Sequence, residues 1–205
     1  MVRLPGSAPP LVRVSFAAML RIRDGEGIVL FEARSRPGAF TPPGGVFRHF
    51  GPATEVLGRL GFRSDRDDLR GEVPARSLPE LLRWFDSGAY REDAAECLRR
   101  ELAEAGFPGL APGVRHLSFA RFRTEVEVLD RPYRQLRQFE CYDLVCADQS
   151  ALRVRDRILA LATDPRVHSA LTATPADIAH GRAGAALIAP HAGYLTRVAR
   201  TPSLR

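Results

Sequence analysis

Residues 91–106 of this 205-residue chain have the sequence REDAAECLRRELAEAG. Their apolar side chains recur at helical spacing, at Ala94, Leu98 and Leu102. This spacing predicts a helix over Arg91–Ala105 with one buried face, and Gly106 suits the left-handed backbone that often ends a helix. Glu101 and Glu104 are three residues apart, so they share a second face of the same helix.

Acidic charge is concentrated in this helix, whereas the rest of the chain is basic. The chain has a formal net charge of +6 at pH 7, and all 30 of its basic residues are arginine. Between Asp86 and Glu104, six acidic residues stand against three arginines. The planar guanidinium group suits phosphate, so this pattern indicates a phosphate-bearing ligand beside an acidic helix. A GC-rich genome is the alternative explanation of the arginine content.

The pair formed by Glu101 and Glu104 has two interpretations. Two carboxylates on one exposed face, beside a glycine-rich loop, can hold Mg²⁺, which takes oxygen ligands and shares them with substrate phosphates. The alternative is a solvated helix face on which Glu96 and Arg100 form an i,i+4 pair worth about 0.2–0.5 kcal/mol. The spacing is compatible with both.

Strands and helices are mixed along the chain without strict alternation. Residues 12–18 alternate polar and apolar side chains, and they are expected to form a hairpin with Gly27–Ala33 across the Asp24-Gly25 turn. Helices are expected at Ala53–Leu60 and Ser77–Phe85. Later elements are expected at Leu117–Val128, Gln138–Ala147, Arg155–Thr163, His168–Ala173, from Thr174 onward, and at Ala189–Val198. This mixture predicts an α/β or α+β fold, in which helices cover the faces of a sheet.

Glu92 and the residues that follow it resemble the Nudix box. Glu92 is followed, after seven residues, by Arg100-Glu101-Leu102 and then, after one more, by Glu104. The Nudix pattern has Glu, seven residues, Arg-Glu-aliphatic, one residue and Glu-Glu at these positions. Pro43-Gly44-Gly45-Val46 is similar to the Pro-Gly-Gly that opens the box, but residues 47–91 lie between the two parts.

Several separated motifs, in the same order, resemble one family in particular, the SMODS-associated NUDIX domains of second-messenger oligonucleotide synthetase systems. The similarity spans about residues 12–198. The motifs that carry it include Phe40–Phe47, Asp68–Arg70, Arg83–Ser87, Phe139–Tyr142 and Ile188–His191. The resemblance implies a Nudix fold, which is a mixed β-sheet sandwiched between α-helices, here with a helical insertion at about residues 51–88. It also implies a role in bacterial antiviral defence against phage.

The resemblance further implies roles for the residues of the box. Glu101 and Glu104 would be catalytic and would hold Mg²⁺ together with Glu92, with Mn²⁺ as a substitute, while Arg100 would pair with Glu92 as a structural residue. The box departs from the family pattern at Ala105, where the family has a second carboxylate that is a main metal ligand. Three carboxylates with waters can hold one Mg²⁺, whereas a site for two or three ions is harder to build.

Groups that bind phosphate are expected near the glycine-rich loop, because arginine binds phosphate bidentately. The candidate ligand-binding residues are Gly44, Gly45, Arg34 and Arg48, and Arg21 and Arg36 are further phosphate partners. Glu125, Glu127 and Glu140 in the later strands are candidates for an additional metal ligand or a base.

A single domain is expected over residues 11–198, between a flexible arm at residues 1–10 and a tail at residues 199–205. The three cysteines show neither a CxxC pair nor zinc spacing, which indicates reduced thiols and a cytoplasmic protein. No apolar run reaches the about 18 residues of a transmembrane helix, so no membrane partner is expected.

Two functions compete. The first is a binding module that recognises a nucleotide or cyclic oligonucleotide. Its candidate protein partners are a synthetase or effector protein and a second copy of the chain, with which it would form a homodimer. The alternative is a Mg²⁺-dependent Nudix hydrolase that cleaves a nucleoside diphosphate linked to another group. Long nucleic acid is not expected as a partner, because the arginines are spread along the chain without a recognition motif.

Overall fold

The computed structural model describes residues 10–107, 110–130 and 134–196. It contains helices and strands in mixed order, which confirms the mixed α/β class predicted from the sequence. The arm predicted at residues 1–10 lies outside the described residues except for Pro10, and the tail predicted at residues 199–205 lies outside them entirely. The boundaries of a single domain therefore stay a prediction.

The elements are named in chain order. The strands are β1 (Leu11–Arg21), β2 (Arg23–Asp24), β3 (Gly27–Glu32), β4 (Ala39–Thr41), β5 (Gly44–Val46), β6 (Arg70–Pro74), β7 (Ser118–Asp130), β8 (Arg134–Val145), β9 (Ala170–Ala173), β10 (Arg182–Ala183) and β11 (Ala186–Ile188). The helices are α1 (Ala53–Leu60), α2 (Leu78–Ser87), α3 (Ala94–Glu104), α4 (Ala111–Val114), α5 (Gln149–Thr163), α6 (Pro175–His180) and α7 (Gly193–Thr196). Short 3₁₀ helices occupy Ala75–Ser77 and Pro190–Ala192.

The described strands form two sheets. One has the order β5-β1-β8-β7, and β6 pairs antiparallel with β1 so that Val12 lies opposite Val73. The other has the order β10-β11-β4-β3-β2, and β9 pairs antiparallel with β3. Because β11 runs parallel to β4 while the other pairs are antiparallel, this second sheet is mixed.

The predicted hairpin between residues 12–18 and Gly27–Ala33 is wrong, because β1 and β3 belong to different sheets. The Asp24-Gly25 turn instead connects β2 to β3, where Arg23 lies opposite Ile28. Nearly all of β3 is buried. A strand that is buried on both faces loses the alternation from which a sequence identifies its partner.

The described residues divide into two compact units. The first is drawn from residues 10–17, 46–94, 126–130 and 134–139, and the second from residues 18–45, 95–107, 110–125 and 140–196. In the first unit, the ring of Phe85 on α2 stacks on Phe16 with 4.2 Å between centroids and meets Phe47 edge-on at 5.4 Å. Such aromatic pairs add about 0.5–1.5 kcal/mol each beyond the area that they bury.

The helices expected within residues 51–88 are present as α1 and α2. Ser77 does not cap α2 through its side chain, because it is the last residue of a 3₁₀ turn that leads directly into the helix. That residues 51–88 are an insertion stays a prediction.

The first residues of three helices agree with the sequence predictions to different degrees. Helix α6 begins as predicted, since Thr174 and Asp177 form a reciprocal capping box. Helix α5 begins earlier than the predicted Arg155, because Asp148 accepts a hydrogen bond from the Ala151 amide at 2.8 Å and caps a polar first turn. Helix α3 begins later than predicted, because Arg91 is held in a β-bridge with His49. None of the described helices combines the length and the apolar character that crossing a membrane requires.

Candidate functional site

Helix α3 presents two faces, as its spacing predicts. Leu98 and Leu102 on one face are fully buried or nearly so. Glu101 and Glu104 lie on another face, and 21% and 36% of their side chains are exposed. The Glu101 carboxylate is therefore largely removed from water, which does not match the interpretation of this face as a simple solvated surface.

The glycine-rich loop packs directly against this face of α3. A Cβ atom at Gly45 would overlap the carboxyl group of Glu101. The thiol of Cys97 also donates to the Gly45 carbonyl oxygen at 3.4 Å. Loop and helix can approach this closely because residue 45 has no side chain, which is one of the uses of glycine in close packing.

The backbone of β1 lies so close to Gly44 that it leaves no room for a side chain at residue 44. The φ of Gly44 is +141°, and a Cβ atom there would overlap the carbonyl oxygen of Ala18. The neighbouring Pro43 carbonyl accepts a hydrogen bond from the Leu20 amide at 2.7 Å. Gly44 is therefore required by close backbone packing, whereas Gly45 is in contact with the Glu101 side chain. The role of both glycines in ligand binding stays a prediction.

Two arginines face the two carboxylates. Nη1 of Arg100 lies 2.5 Å from Oε1 of Glu101 and 3.8 Å from Oε2 of Glu104. Nη1 of Arg34 lies 3.4 Å from the same Glu104 oxygen. Arg100 is largely buried, whereas 59% of the Arg34 side chain is exposed. The cluster thus contains two negative and two positive groups in contact, and we call Gly45, Glu101, Glu104, Arg100 and Arg34 the box cluster.

The box cluster supplies two of the oxygen donors that a divalent ion would need. Among the residues that the structure describes, no group of three or more His, Cys, Asp or Glu side chains is arranged to hold a metal ion. Mg²⁺ is commonly bound by one or two carboxylates, with waters and substrate phosphates completing its shell. Glu101 and Glu104 match that donor set for one ion, but a guanidinium group competes with the ion for the same oxygens.

Glu92 precedes α3 and belongs to the first unit, where it is bonded to Arg48. The Arg48 amide donates to Oε2 of Glu92 at 2.9 Å, and the Glu92 amide donates to the Arg48 carbonyl at 2.9 Å. The side chain of Glu92 is buried. Its carboxylate therefore fixes the backbone of residues 48–50 against residues 90–92. A role in metal binding, and its pairing with Arg100, stay predictions.

Arg21, a candidate phosphate partner, already has an anionic partner within the fold. Its Nε and Nη2 bind both carboxylate oxygens of Asp143 at 2.7 Å, and its Nη1 donates to the Leu195 carbonyl at 3.0 Å. The guanidinium group also lies 3.8 Å above the ring of Phe122. Because all three nitrogens are engaged, Arg21 is a structural residue in this conformation. Arg36 is exposed.

The later glutamates each have a cationic neighbour. Glu125 is bound by Arg123 at 2.9 Å, Glu127 by Arg137 at 3.6 Å, and Glu140 lies 3.8 Å from Arg121. Glu140 is buried and accepts a hydrogen bond from the Tyr142 hydroxyl at 2.6 Å. Sequence reasoning named the three glutamates, but Arg121, Arg123 and Tyr142 were not expected as their partners, although alternation along β7 and β8 places them on the same strand faces.

Cys141 lies beside this charged group and was not singled out by its sequence context. Burial, and after it the nearby charge of Glu125, raise the pKa of its thiol to about 12. A thiol with so high a pKa is uncharged at neutral pH and is a poor nucleophile. Cys141 therefore belongs to the core and not to the reactive chemistry of the site.

The fold and the glycine-loop contact agree with the comparisons with known proteins. No curated protein matches the chain. The family model of the SMODS-associated NUDIX domain matches residues 11–196, a span that includes the glycine-rich loop, helix α3 and the strands that carry Glu125 and Glu140. The chain belongs to the SMODS-associated NUDIX domain family.

Proposed function

We propose that this domain recognises a nucleotide-derived ligand, with a cyclic oligonucleotide second messenger as the candidate, in bacterial antiphage defence. Membership of the family suggests a nucleotide-type ligand. The observation that carries recognition rather than cleavage is the engagement of Glu101 and Glu104 by Arg100 and Arg34. The residue at position 105, where the Nudix box has a second carboxylate, is Ala105.

Arg34 is the member of the box cluster best suited to bind a phosphate group. Its contact with Glu104 is long, at 3.4 Å, and its side chain is mostly exposed. Exposed ion pairs of this kind contribute about 0–1 kcal/mol to stability. A phosphate can therefore replace Glu104 as the partner of the guanidinium group at little cost in free energy. A bidentate arginine–phosphate contact is stronger than that pair.

Arg100 has a different role in the proposal. It is largely buried and in contact with Glu101, so it holds the carboxylates in place and keeps the region close to neutral. An anionic ligand could not approach two uncompensated carboxylates without repulsion, and Arg100 reduces that repulsion because it offsets one of the two charges. Gly44 and Gly45 then offer backbone beside the ligand.

Variants of Arg34 test this assignment. Calorimetric titration with a panel of cyclic di- and trinucleotides is expected to show binding to the unaltered chain and about tenfold weaker binding to Arg34→Gln, which corresponds to about 1.4 kcal/mol. Arg13→Gln is the matched control, because Arg13 also forms an exposed ion pair, with Glu72 at 3.2 Å. Equal affinities of the two variants would contradict a ligand contact of Arg34.

A Mg²⁺-dependent hydrolase is the second candidate. One observation favours it: oxygens of Glu101 and Glu104 both lie close to one nitrogen of Arg100, so the two carboxylates converge on one place, as ligands of one ion would. Nudix domains generally use divalent metals, and Mg²⁺, or Mn²⁺ in its place, would stabilise developing negative charge on a phosphoryl oxygen.

A product screen separates the two candidates. The chain is incubated with nucleoside diphosphate-linked substrates and Mg²⁺ or Mn²⁺, and the products are resolved by chromatography. The hydrolase candidate requires turnover that Glu101→Gln abolishes while Glu55→Gln, on an exposed surface of α1, retains it. The absence of product with every substrate and both ions would reject this candidate.

A further inference from the structure

Strand β7 combines unusual length with an exposed apolar face. It extends over Ser118–Asp130, 13 residues, whereas the average strand has about 5–6. Among the described strands it is the last in the order β5-β1-β8-β7, so one of its edges pairs with no described strand. Long edge strands offer a row of backbone donors and acceptors that another strand can use.

The two faces of β7 are the reverse of the usual arrangement. Val126 and Val128 share one face and are 54% and 66% exposed. Three of the four charged residues on the opposite face are more protected, with 14% of the Arg123 side chain, 24% of Glu125 and 27% of Glu127 exposed, whereas Arg121 is 59% exposed. A half-buried antiparallel strand usually buries its apolar residues and exposes its charges. A partner strand that pairs along the free edge would place its own side chains beside these valines and cover part of them.

The order of charges along β7 identifies that partner. Arg121 and Arg123 precede Thr124, and Glu125 and Glu127 follow it at mirrored positions. If a second β7 runs antiparallel with Thr124 opposite Thr124, Arg123 faces Glu125 of the other copy and Arg121 faces Glu127. Cross-strand pairs of opposite charge are favourable, and directly opposed like charges are unfavourable.

The apolar face follows the same symmetry. In that register Phe122 lies opposite Val126 of the second copy, and Ala120 lies opposite Val128. Aromatic residues paired with β-branched residues are among the favourable cross-strand pairs. The residue at the centre of the symmetry, Thr124, is also the middle residue of Ser118–Asp130, so the whole strand is paired.

We propose that β7 is a homodimer interface, at which two copies of the chain pair antiparallel about a two-fold axis through Thr124. A surface that pairs with itself must be self-complementary about such an axis, and the sequence of β7 has that property in both its charges and its apolar residues. The inference is independent of the proposed function, since it uses no residue of the box cluster.

Substitutions on the axis give the most specific test. Thr124 is exposed, so Thr124→Glu and Thr124→Arg should leave each monomer folded. Each variant places two like charges directly opposite each other, whereas an equimolar mixture places Glu opposite Arg. Light scattering after size exclusion should give twice the 22.6 kDa chain mass for the unaltered protein, the single mass for each variant and the double mass for their mixture. Thr54→Glu, at an exposed position of α1, is the control and should remain dimeric.

A milder variant keeps the test decisive if the charged ones fail to fold. In an antiparallel pair, opposed Cα atoms are about 4.5–5.5 Å apart, within the range that a disulfide spans. Thr124→Cys should therefore form an intermolecular disulfide on mild oxidation, and Thr54→Cys should not. A monomeric unaltered chain, a Thr124→Glu dimer, a mixture that stays monomeric, or the absence of the Thr124→Cys cross-link would each overturn the proposal.

Discussion

The carboxyl group of Glu101 lies so close to Gly45 that it would overlap a Cβ atom at residue 45. A side chain larger than hydrogen at residue 45 would therefore force the Glu101 side chain to move. The contact connects two segments that are far apart in sequence, β5 and α3. It also keeps Glu101 partly shielded from water, beside Arg100.

This contact predicts a measurable effect for Gly45→Ala. The added methyl group must displace the Glu101 side chain from its contact with Arg100, which should cost about 1 kcal/mol of the free energy of unfolding. Gly51→Ala is the matched control, because a Cβ atom there has nothing within 4 Å. Its effect should stay within about 0.5 kcal/mol. Chemical denaturation measures both, and equal losses in the two variants would contradict the packing described for Gly45.

The ion pair of Arg21 and Asp143 is predicted to stabilise the fold more than the pair of Arg13 and Glu72, although both arginines lie on β1. Only 10% of the Arg21 side chain is exposed, and it makes two bonds of 2.7 Å, whereas Arg13 and Glu72 are 62% and 39% exposed. Asp143→Ala should lower the free energy of unfolding by about 2 kcal/mol, because it leaves a shielded guanidinium group unpaired. Glu72→Ala should lower it by less than about 1 kcal/mol.

Thermal or urea denaturation of the two variants checks the difference. The double variant Asp143→Ala with Glu72→Ala should show additive losses, since the two pairs share no partner. A loss for Glu72→Ala that equals the loss for Asp143→Ala would show that shielding from water does not distinguish these pairs.

The thiol of Cys141 is predicted to be unreactive in the folded protein. Its pKa of about 12 leaves almost no thiolate at pH 8, because burial and then the charge of Glu125 favour the protonated form. Cys146 is less buried than Cys141, so a thiol reagent at pH 8 should label Cys146 first. Mass spectrometry after digestion identifies the labelled residue.

Two controls define that experiment. Denaturation should make Cys141 react as readily as the other thiols, and Cys146→Ser should remove the early labelling of the folded chain. Labelling of Cys141 in the folded protein at the rate of Cys146 would contradict the environment described for it.

The parts of the fold that sequence predicts well are those that neighbouring residues determine. The capping box of α6 lies within Thr174–Asp177, and the buried face of α3 follows from residues spaced one turn apart. Alternation of side chains predicts a strand over Leu117–Val128, and β7 extends over Ser118–Asp130. In each case the signal and the structure that it specifies occupy the same short segment.

Long-range pairing explains the errors. Arg91 has helical neighbours in sequence but is held by a bridge to His49, so α3 starts after it. Strand β3 pairs with β9, with Ile28 opposite Ala173, and no local pattern connects those two segments. Sheet partners of this kind depend on the complete fold, which periodicity within one segment does not specify.

The candidate site likewise combines features that neighbouring residues determine with contacts that depend on the complete fold. The spacing of Glu101 and Glu104 predicts that they share a face of α3, and the structure confirms that arrangement. The pairing of Arg34 with Glu104 depends on a loop that precedes the helix by many residues, so proximity to the glycine-rich loop suggested Arg34 without giving its partner. The partnership of Glu92 with the backbone of Arg48 has the same long-range origin.

The function proposed for this domain is recognition of a nucleotide-derived ligand without its cleavage. The most direct measurement is a calorimetric titration of the full chain with cyclic di- and trinucleotides in the presence of Mg²⁺, after which the recovered ligand is resolved by chromatography. We predict saturable heat for at least one ligand and its recovery intact. No heat with any member of the panel would contradict recognition, and recovery of a cleaved ligand would contradict the binding role in favour of the hydrolase.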